Sequence, residues 1–208
     1  MIDEGYIKFE LEWQRAAAPD SSEIEILNAW RKPLYAAGLI GHYADIGIGF
    51  GNISVRGRDG NFVISGTQTG HLPVLGAEHY TTVTDYDIAA NRVRCVGPIK
   101  ASSESMTHAA LYELGDAINA VVHVHSAALW RKYLNILPTS GADISYGTPA
   151  MAEEFRRLFR DTPFAGDGVA VMAGHDEGII ATGQDMREAA QRILNLHQQL
   201  QDQDGSAS

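Results

Sequence analysis

Two histidines separated by one residue, His123 and His125, end an apolar, β-branched run that begins at Ile118. Side chains two apart in a strand point to the same face, so both imidazoles would lie side by side on a buried strand. Neutral imidazole is a common zinc ligand, and burying two unpartnered imidazoles is costly. The run predicts part of a metal site. The alternative is one hydrogen-bonded core histidine and one polar residue where the strand ends.

The composition limits the ligands and the partners. Cys95 is the only cysteine, which excludes an internal disulfide and a thiolate zinc cluster, so a metal would need imidazole and carboxylate. The net charge of −10 argues against nucleic acid as the main partner. No apolar stretch approaches the ~20 residues of a membrane span, and the N-terminal acids are unlike a signal peptide. We therefore expect a cytoplasmic protein without a membrane partner.

Strand and helix patterns are interspersed along the 208 residues, which fit one domain. Several strands follow one another through turn signals such as Asp59-Gly60, which predicts a mixed α/β layer with a largely antiparallel sheet. Residues 1–20 lack a clear period and are interpreted as an N-terminal arm. The domain is predicted over 21–200, and the polar residues 201–208 are predicted to be a flexible, frayed tail.

The first predicted helix contains a proline. Apolar residues recur at helical intervals from Ile24 to Leu34. At the start of this pattern, Ser22 and Glu25 have the spacing of a capping box. Pro33 removes a hydrogen bond within this pattern, which predicts a bend or two short helices.

Glu104 follows Ser102 and Ser103 at the start of another predicted helix. A carboxylate is favoured there by the helix dipole alone, so helix capping is one interpretation and metal ligation is the other. His108 lies four residues on, hence on the same helix face, and could pair with Glu104. We do not assign His108 as a ligand.

His175 lies in a turn between two apolar runs, GVAVMAG and GIIATG. Histidines in loops are usually exposed, and the adjacent Asp176 and Glu177 could also bind a metal. The turn alone does not decide between these interpretations.

Two glycine-rich segments, GIGFGNISVR and ISGTQTG, could bind an anion such as phosphate through backbone N–H groups and nearby hydroxyl and amide side chains. The alternative is a set of ordinary hairpin turns. Neither segment contains a P-loop or a dinucleotide-binding fingerprint. The polar side chains are those of Asn52, Ser65, Thr67, Ser102 and Ser103.

In this order, GNISVR, ISGT, SSE, HVHS and the Gly-His before Asp176 resemble the class II aldolase/adducin family over roughly residues 38–200. The resemblance implies a single-domain α/β/α sandwich. It also implies one Zn²⁺ per chain, or another divalent metal, bound by three histidines and by Glu104, which then acts as the acid/base. The implied histidine ligands are His123, His125 and His175. The implied substrate-binding residues are Asn52, Ser65, Gly66, Thr67, Ser102 and Ser103.

The implied activity is that of a zinc-dependent carbon–carbon lyase of the aldolase type, acting in carbohydrate metabolism. Its substrate would be a small hydroxy-carbonyl compound such as a sugar phosphate, cleaved through a metal-bound enediolate. Family members are commonly homotetramers in which a tyrosine from a neighbouring subunit helps protonation, and Tyr146 is the candidate here. The alternatives are an epimerase, dehydratase or decarboxylase of the same family, a non-catalytic adducin-like scaffold, and a zinc hydrolase.

The sequence departs from the family pattern in two places. Sugar-phosphate aldolases often carry Ser or Thr where this chain has GIGFG, and a threonine- and proline-rich segment where it has ISGTQTG. In addition, Asp176 and Glu177 separate His175 from Gly178, where the family typically has glycine directly after histidine.

Overall fold

An eight-stranded sheet forms the centre of the protein in a computed structural model. The structure describes residues 5–206, and for the last three of these, 204–206, it describes the backbone alone. The strands are β1 (Glu10–Arg15), β2 (Gly41–Tyr43), β3 (Ile48–Phe50), β4 (Asn52–Arg56), β5 (Phe62–Ser65), β6 (Tyr80–Asp87), β7 (Arg92–Gly97), β8 (Ala120–His125), β9 (Val169–Val171) and β10 (Gly178–Gly183). The helices are α1 (Ser21–Ala36), α2 (Ser105–Tyr112), α3 (Ala127–Tyr133), α4 (Pro149–Asp161), α5 (Phe164–Asp167) and α6 (Met186–Ser206). The order in the sheet is β1-β7-β6-β5-β4-β8-β10-β9, and β2 and β3 form a separate hairpin.

Every strand pair in the large sheet is antiparallel except β1 with β7. One hydrophobic core lies between the sheet and α2 with α4, and the other lies between the sheet and α1 with α6. Val121 belongs to the first core, whereas Val122 and Val124 belong to the second. By the same alternation, His123 and His125 are on the α2 side. These two layers of helices confirm the predicted α/β/α sandwich with a largely antiparallel sheet.

Both ends of the chain are more regular than predicted. Glu10–Arg15 forms the edge strand β1, where Trp13 pairs with Cys95 and its indole N–H donates to the Gly97 carbonyl at 3.0 Å. Residues 10–15 of the predicted N-terminal arm therefore form a strand of the sheet. Within the predicted tail, α6 continues to Ser206; residues 207 and 208 lie outside the described part.

Helix α1 differs from the prediction at its start and near its end. Asp20 caps it by accepting from the Ser22 N–H at 2.9 Å, so the predicted Ser22/Glu25 capping box is wrong. The helix continues through Pro33 to Ala36 without division. Pro33 lies in the last turn, where its missing N–H removes one hydrogen bond near a terminus that frays in any case.

The predicted hairpins are present. Asp59 and Gly60 both have positive φ, 56° and 79°, as a tight β4–β5 hairpin turn requires. Strands β9 and β10 pair antiparallel around the turn that contains His175. No helix within residues 5–206 is long and apolar enough to cross a membrane.

Candidate metal centre

Three buried histidines meet at one point. His123 and His125 come from β8, and His175 comes from the turn between β9 and β10. Their Nε2 atoms are 3.0 Å (His123 to His125), 3.1 Å (His125 to His175) and 3.2 Å (His175 to His123) apart. Each side chain is at most 4% exposed. Among the described residues, these three form a group whose donor atoms could bind one metal ion.

The triangle of Nε2 atoms fits a metal better than a purely hydrogen-bonded cluster. Ligand nitrogens about 2.0–2.1 Å from a tetrahedral zinc are about 3.3–3.4 Å apart, slightly more than the observed separations. The His123 Nδ1 lies 3.2 Å from the Ile179 carbonyl oxygen, which can only accept, so Nδ1 carries the proton. The Nε2 of neutral His123 then carries a lone pair that points toward the other two histidines. This tautomer is the one that can ligate a metal through Nε2.

His125 has the same tautomer through a different partner. Its Nδ1 lies 3.0 Å from the Tyr43 hydroxyl, and that hydroxyl donates to Glu177 Oε2 at 3.0 Å. Because the hydroxyl proton is used toward Glu177, the Tyr43 oxygen accepts from the His125 Nδ1–H. The Nε2 of His125 is therefore also a lone pair directed into the triangle.

Burial keeps these histidines neutral. It lowers the pKa of His123 to about 4 and lowers the pKa values of His125 and His175 well below the ordinary value. Neutral imidazole is the form that binds a metal, so the site is ready for an ion at neutral pH without a loss of protons from these rings.

Glu104 brings a carboxylate to the cluster. Glu104 is the residue directly before α2 and is fully buried. Its Oε1 lies 3.3 Å from His175 Nε2. Neither carboxylate oxygen has a hydrogen-bond partner among the described residues. Burial raises the pKa of Glu104 to about 8, against the smaller opposing effects of Thr107 and Lys8. A buried carboxylate without such partners is costly unless a cation or a proton accompanies it.

The other candidate roles of the residues near the cluster are not seen in the part of the chain that the structure describes. Glu104 makes no side-chain hydrogen bond that caps α2. His108 Nδ1 bonds Ser54 Oγ at 2.7 Å, and neither its Nε2 nor the Glu104 carboxylate has a hydrogen-bond partner among the described residues, so the two do not pair. His175 is 4% exposed, unlike an ordinary loop histidine. Asp176 is exposed and outside the ligand group.

The turn that carries His175 depends on glycine. A Cβ on Gly178 would lie 2.7 Å from the His175 ring and 3.2 Å from the His123 ring. A Cβ on Gly174 would lie 2.1 Å from the Ile144 carbonyl oxygen. Gly178 therefore lets the turn approach the β8 histidines, and Gly174 lets it pack against the backbone of Ile144.

Tyr146 lies against the site of its own chain. Its ring centroid is 4.4 Å from that of His175, and the residue is 1% exposed. The Tyr146 hydroxyl donates to the Tyr6 carbonyl at 3.2 Å and accepts from the Tyr6 N–H at 3.1 Å. The Lys8 ammonium lies 3.7 Å from the centre of the Tyr146 ring and bonds Ser145. The segment before β1 thus places a cation close to the cluster.

The predicted anion-binding segments converge beside the metal cluster. Asn52 on β4 pairs with His123 in the sheet, and Gly66 forms an isolated bridge with Ala101 just before Ser102. A small cavity of about 20 Å³ results. It is lined by Gly5, Gly49, Gly51, Asn52, Gly66, Thr67, Gln68, Thr69, Gly70, Ser102 and Ser103.

Ser65 is not among the residues that line this cavity. Its hydroxyl instead accepts from the Ile53 N–H at 3.3 Å, across the β4–β5 hairpin. Asn52 Oδ1, by contrast, is buried without a hydrogen-bond partner among the described residues, as expected of a group that has a ligand to meet.

Three residues at this site were not predicted from the sequence with these roles. Tyr43 contacts His125 directly, and Glu177 accepts a hydrogen bond from the Tyr43 hydroxyl. Arg31 on α1 is 2% exposed and donates to the Thr69 carbonyl at 3.1 Å, which fixes the loop that lines the cavity. Only Glu177 had a sequence signal, since it is one of the two extra residues after His175. Arg31 and Tyr43 look like ordinary helix and hairpin residues.

Comparison with known proteins agrees with this architecture. L-fuculose-1-phosphate aldolase from Thermus thermophilus superposes with a TM-score of 0.67 at 19% identity, covering 90% of this chain and 95% of that one. YgbL from Klebsiella pneumoniae, described as a candidate aldolase/epimerase/decarboxylase, gives 0.65 at 20% identity, with 87% of each chain covered. A sugar-phosphate aldolase from Thermotoga maritima gives 0.63 at 16% identity, covering 87% of this chain and 93% of that one. At these identities the likeness establishes the fold.

No curated protein sequence matches this chain significantly. The family model described as "Class II Aldolase and Adducin N-terminal domain" matches residues 34–203, which include the His-x-His strand, Glu104 and His175. The chain therefore belongs to the class II aldolase and adducin N-terminal domain family.

Proposed function

We propose that this protein is a zinc-dependent carbon–carbon lyase of the aldolase type that cleaves a small hydroxy-carbonyl compound. The observation that carries the proposal is the buried Glu104 carboxylate beside three histidines whose Nε2 atoms converge. A non-catalytic scaffold has no need of a buried carboxylate and three buried imidazoles at one point, because such groups are costly without a ligand.

His123, His125 and His175 would bind one Zn²⁺, with Glu104 as the carboxylate ligand before substrate arrives. A metal bound there supplies a Lewis acid that polarises a substrate carbonyl. A divalent ion in a buried environment needs negative charge beside it, and the Glu104 carboxylate would partly neutralise it.

Glu104 is the proposed acid/base. In the cleavage direction it takes the proton from the substrate hydroxyl on the carbon β to the carbonyl, and the bond between the α and β carbons breaks. The hydroxyl oxygen becomes the carbonyl of one fragment, and the electron pair of the broken bond stays with the other fragment, which is then protonated on carbon. In the absence of a metal, burial raises the pKa of Glu104 to about 8, so its carboxyl accepts a proton more readily than a solvated carboxyl does.

The small polar cavity, which has room for about one water molecule, is the proposed place for an anionic oxygen of the substrate. Asn52, Thr67, Ser102 and Ser103 line it, and Asn52 pairs with His123 across the sheet. An anion bound there would therefore lie next to the metal cluster. Gly66 also lines the cavity, and Ser65 beside it remains a proposed contributor through its bond to Ile53.

Solvent exchange tests the reaction class before the substrate is known. The zinc-loaded protein is incubated in D₂O with a panel of ketoses, namely L-fuculose 1-phosphate, other phosphorylated ketoses, their unphosphorylated forms and carboxylated analogues. We expect deuterium at the carbon next to the carbonyl for at least one compound. We expect Glu104→Gln to reduce that exchange by about 10²–10⁴-fold, the usual contribution of a general acid or base.

Glu113→Gln is the matched control, because Glu113 is at the other end of α2 and pairs with Arg156 on the surface. It should exchange as the wild type does. Absence of exchange across the whole panel, with zinc bound, would contradict the proposal and favour a zinc hydrolase, in which a histidine-bound metal activates water.

Products separate the sister activities of the family. An aldolase yields two carbonyl fragments, an epimerase an isomer of equal mass, a decarboxylase carbon dioxide, and a dehydratase a product lighter by one water. Mass spectrometry of the same incubations distinguishes these outcomes.

We also propose that the protein acts in carbohydrate metabolism in the cytoplasm as a homotetramer, from its family resemblance. The assembly is tested by light scattering after size exclusion. Tyr146 is proposed to assist Glu104 in protonation, and its contact with His175 of the same chain supports a role in its own site. Tyr146→Phe would then reduce turnover even in mixed tetramers in which every neighbouring subunit keeps the tyrosine.

A further inference from the structure

A hydrogen-bonded chain of three side chains connects His125 to the protein surface. His125 Nδ1 lies 3.0 Å from the Tyr43 hydroxyl, and the hydroxyl donates to Glu177 Oε2, also at 3.0 Å. His125 is on β8, Tyr43 ends β2, and Glu177 precedes β10. Three separate parts of the fold therefore meet at the outer nitrogen of one histidine.

The donors and acceptors in this chain have one consistent assignment. The hydroxyl proton goes to Glu177, since a carboxylate can only accept. The Tyr43 oxygen then accepts from His125 Nδ1–H. His125 is left with its Nε2 lone pair toward His123 and His175, so the chain selects the tautomer that can ligate a metal.

The neighbouring ligand on the same strand is fixed differently. His123 Nδ1 donates to the Ile179 backbone carbonyl at 3.2 Å, which needs no particular side chain. His125 is at the end of β8, and its register partner on β10 is Gly178, the first residue of that strand. The Nδ1 of His125 is therefore held by side chains, whereas the Nδ1 of His123 is held by a backbone carbonyl.

The β2–β3 hairpin holds Tyr43 in position by aromatic packing. Phe50 on β3 lies 4.8 Å from the Tyr43 ring and 5.5 Å from the His125 ring, measured between centroids. The phenol and the imidazole thus share a common neighbour, which limits the rotation of both rings.

Glu177 reaches Tyr43 from the turn between His175 and the start of β10 at Gly178. The Glu177 backbone has a φ of 67°, a left-handed conformation that is unfavourable for a residue with a side chain. Glycine would be the ordinary choice there, so a glutamate in that conformation indicates a requirement for its side chain.

We infer that Tyr43 and Glu177 are positioning residues that hold His125 in its metal-binding tautomer and thereby set the metal affinity of the site. The inference rests on the metal centre of the proposed function. The inference adds Tyr43 and Glu177 to that proposal as residues that would contact neither metal nor substrate. Glu177 lies in the turn after His175, where the sequence departs from the family pattern. Partners of this kind typically change metal affinity by about 10–100-fold.

Zinc affinity is measured on the full-length protein by competition with a chromophoric chelator at pH 7.5. Tyr43→Phe removes the hydroxyl but keeps the ring against Phe50, and should weaken zinc binding by about 10–100-fold. Glu177→Gln keeps an acceptor of the same shape and should weaken binding by a smaller factor. Asp176→Asn is the matched control, since it removes one charge from the same turn at an exposed position and should bind zinc as the wild type does.

The double variant separates a relay from a general effect of charge. If Glu177 acts through Tyr43, then Glu177→Gln should have no further effect in the Tyr43→Phe background, so the two effects will not add. If Glu177 acts through its charge alone, it should weaken zinc binding equally in both backgrounds, and the relay would be wrong.

The tautomer can be observed without metal. Long-range ¹H–¹⁵N spectra of the metal-free protein should show His125 protonated at Nδ1 in the wild type and a mixture with the Nε2–H form in Tyr43→Phe. Melting temperatures of the metal-free variants show whether they remain folded. A folded Tyr43→Phe protein with the wild-type tautomer and a zinc affinity within threefold of wild type overturns the inference. Wild-type protein that binds no zinc overturns the proposed function instead, while the tautomer measurement still decides the role of Tyr43.

Discussion

Glu104 Oε1 lies 3.3 Å from His175 Nε2, although Glu104 precedes α2 on one side of the cluster and His175 comes from the β9–β10 turn. Both side chains are buried, and the carboxylate has no hydrogen-bond partner among the described residues. Their proximity combines an anionic group with neutral imidazole donors. Such a combination suits a divalent cation and leaves the metal-free protein with an energetically unfavourable site.

The first prediction concerns the metal-free protein at alkaline pH. The folded state raises the pKa of Glu104 from 4.5 to about 8, so it binds a proton that the unfolded chain has released. The contribution of Glu104 to stability is therefore present below about pH 4.5 and is lost progressively up to about pH 8. Urea unfolding should show that metal-free Glu104→Gln gains stability relative to wild type as the pH rises from 6 to 8.5. A difference that is constant with pH would contradict the raised pKa.

The second prediction concerns acid. Burial lowers the pKa values of His123, His125 and His175, so the folded state binds fewer protons than the unfolded chain. Their contribution to stability is complete above the unfolded value of 6.5 and is lost as the pH falls. As the pH falls from 7 to 5.5 the three histidines should thus destabilise the metal-free protein, an effect opposite in sign to that of Glu104, and His125→Gln should reduce this contribution to the pH dependence. His42→Asn, at an exposed position, should leave the dependence unchanged.

The third prediction separates two residues that the sequence placed in one set. Asn52 lines the cavity with an unpartnered Oδ1, whereas Ser65 bonds the Ile53 backbone. Asn52→Ala should raise KM for an anionic substrate by about 10-fold or more, the effect of losing a hydrogen bond to a charged group. Ser65→Ala should instead lower the free energy of unfolding by about 1–3 kcal/mol, because it leaves a buried N–H unsatisfied. The reverse pattern in kinetics and urea titrations would show that the cavity is not the anion site.

The fourth prediction tests the N-terminal strand. Deleting residues 1–15 removes β1, including Trp13, and exposes the edge of β7. We expect a lower melting temperature and self-association at high concentration, because an uncovered strand edge pairs with other chains. A truncated protein that melts as the full chain does and stays in the same oligomeric state would support the arm predicted from the sequence.

The parts of the fold that the sequence predicts are those with local patterns. His123 and His125 share a face because strand periodicity is two, and the β4–β5 turn follows from Asp59-Gly60. Strand β1 has no such pattern, because it lies at an edge and pairs in parallel with β7, far along the chain. Its formation depends on a long-range contact that a local pattern does not reveal.

The candidate site divides in the same way. The three histidines could be predicted from strand physics and family order, and the structure brings them together with Glu104. Tyr43, Arg31 and the role of Glu177 could not, because each acts on a partner distant in sequence. The motif that contains Ser65 could not show that its hydroxyl bonds the neighbouring strand, because the side chains of a hairpin alternate and a motif does not indicate which of them face a cavity.

The metal centre itself is the central claim, and anomalous diffraction from crystals of zinc-loaded protein tests it most directly. Data collected above and below the zinc edge should give one anomalous peak per chain, about 2.0–2.1 Å from Nε2 of His123, His125 and His175. In His123→Ala crystals the peak should be lost or strongly reduced. A zinc-saturated wild-type crystal with no peak at the three histidines, or with its peak elsewhere, would contradict the account.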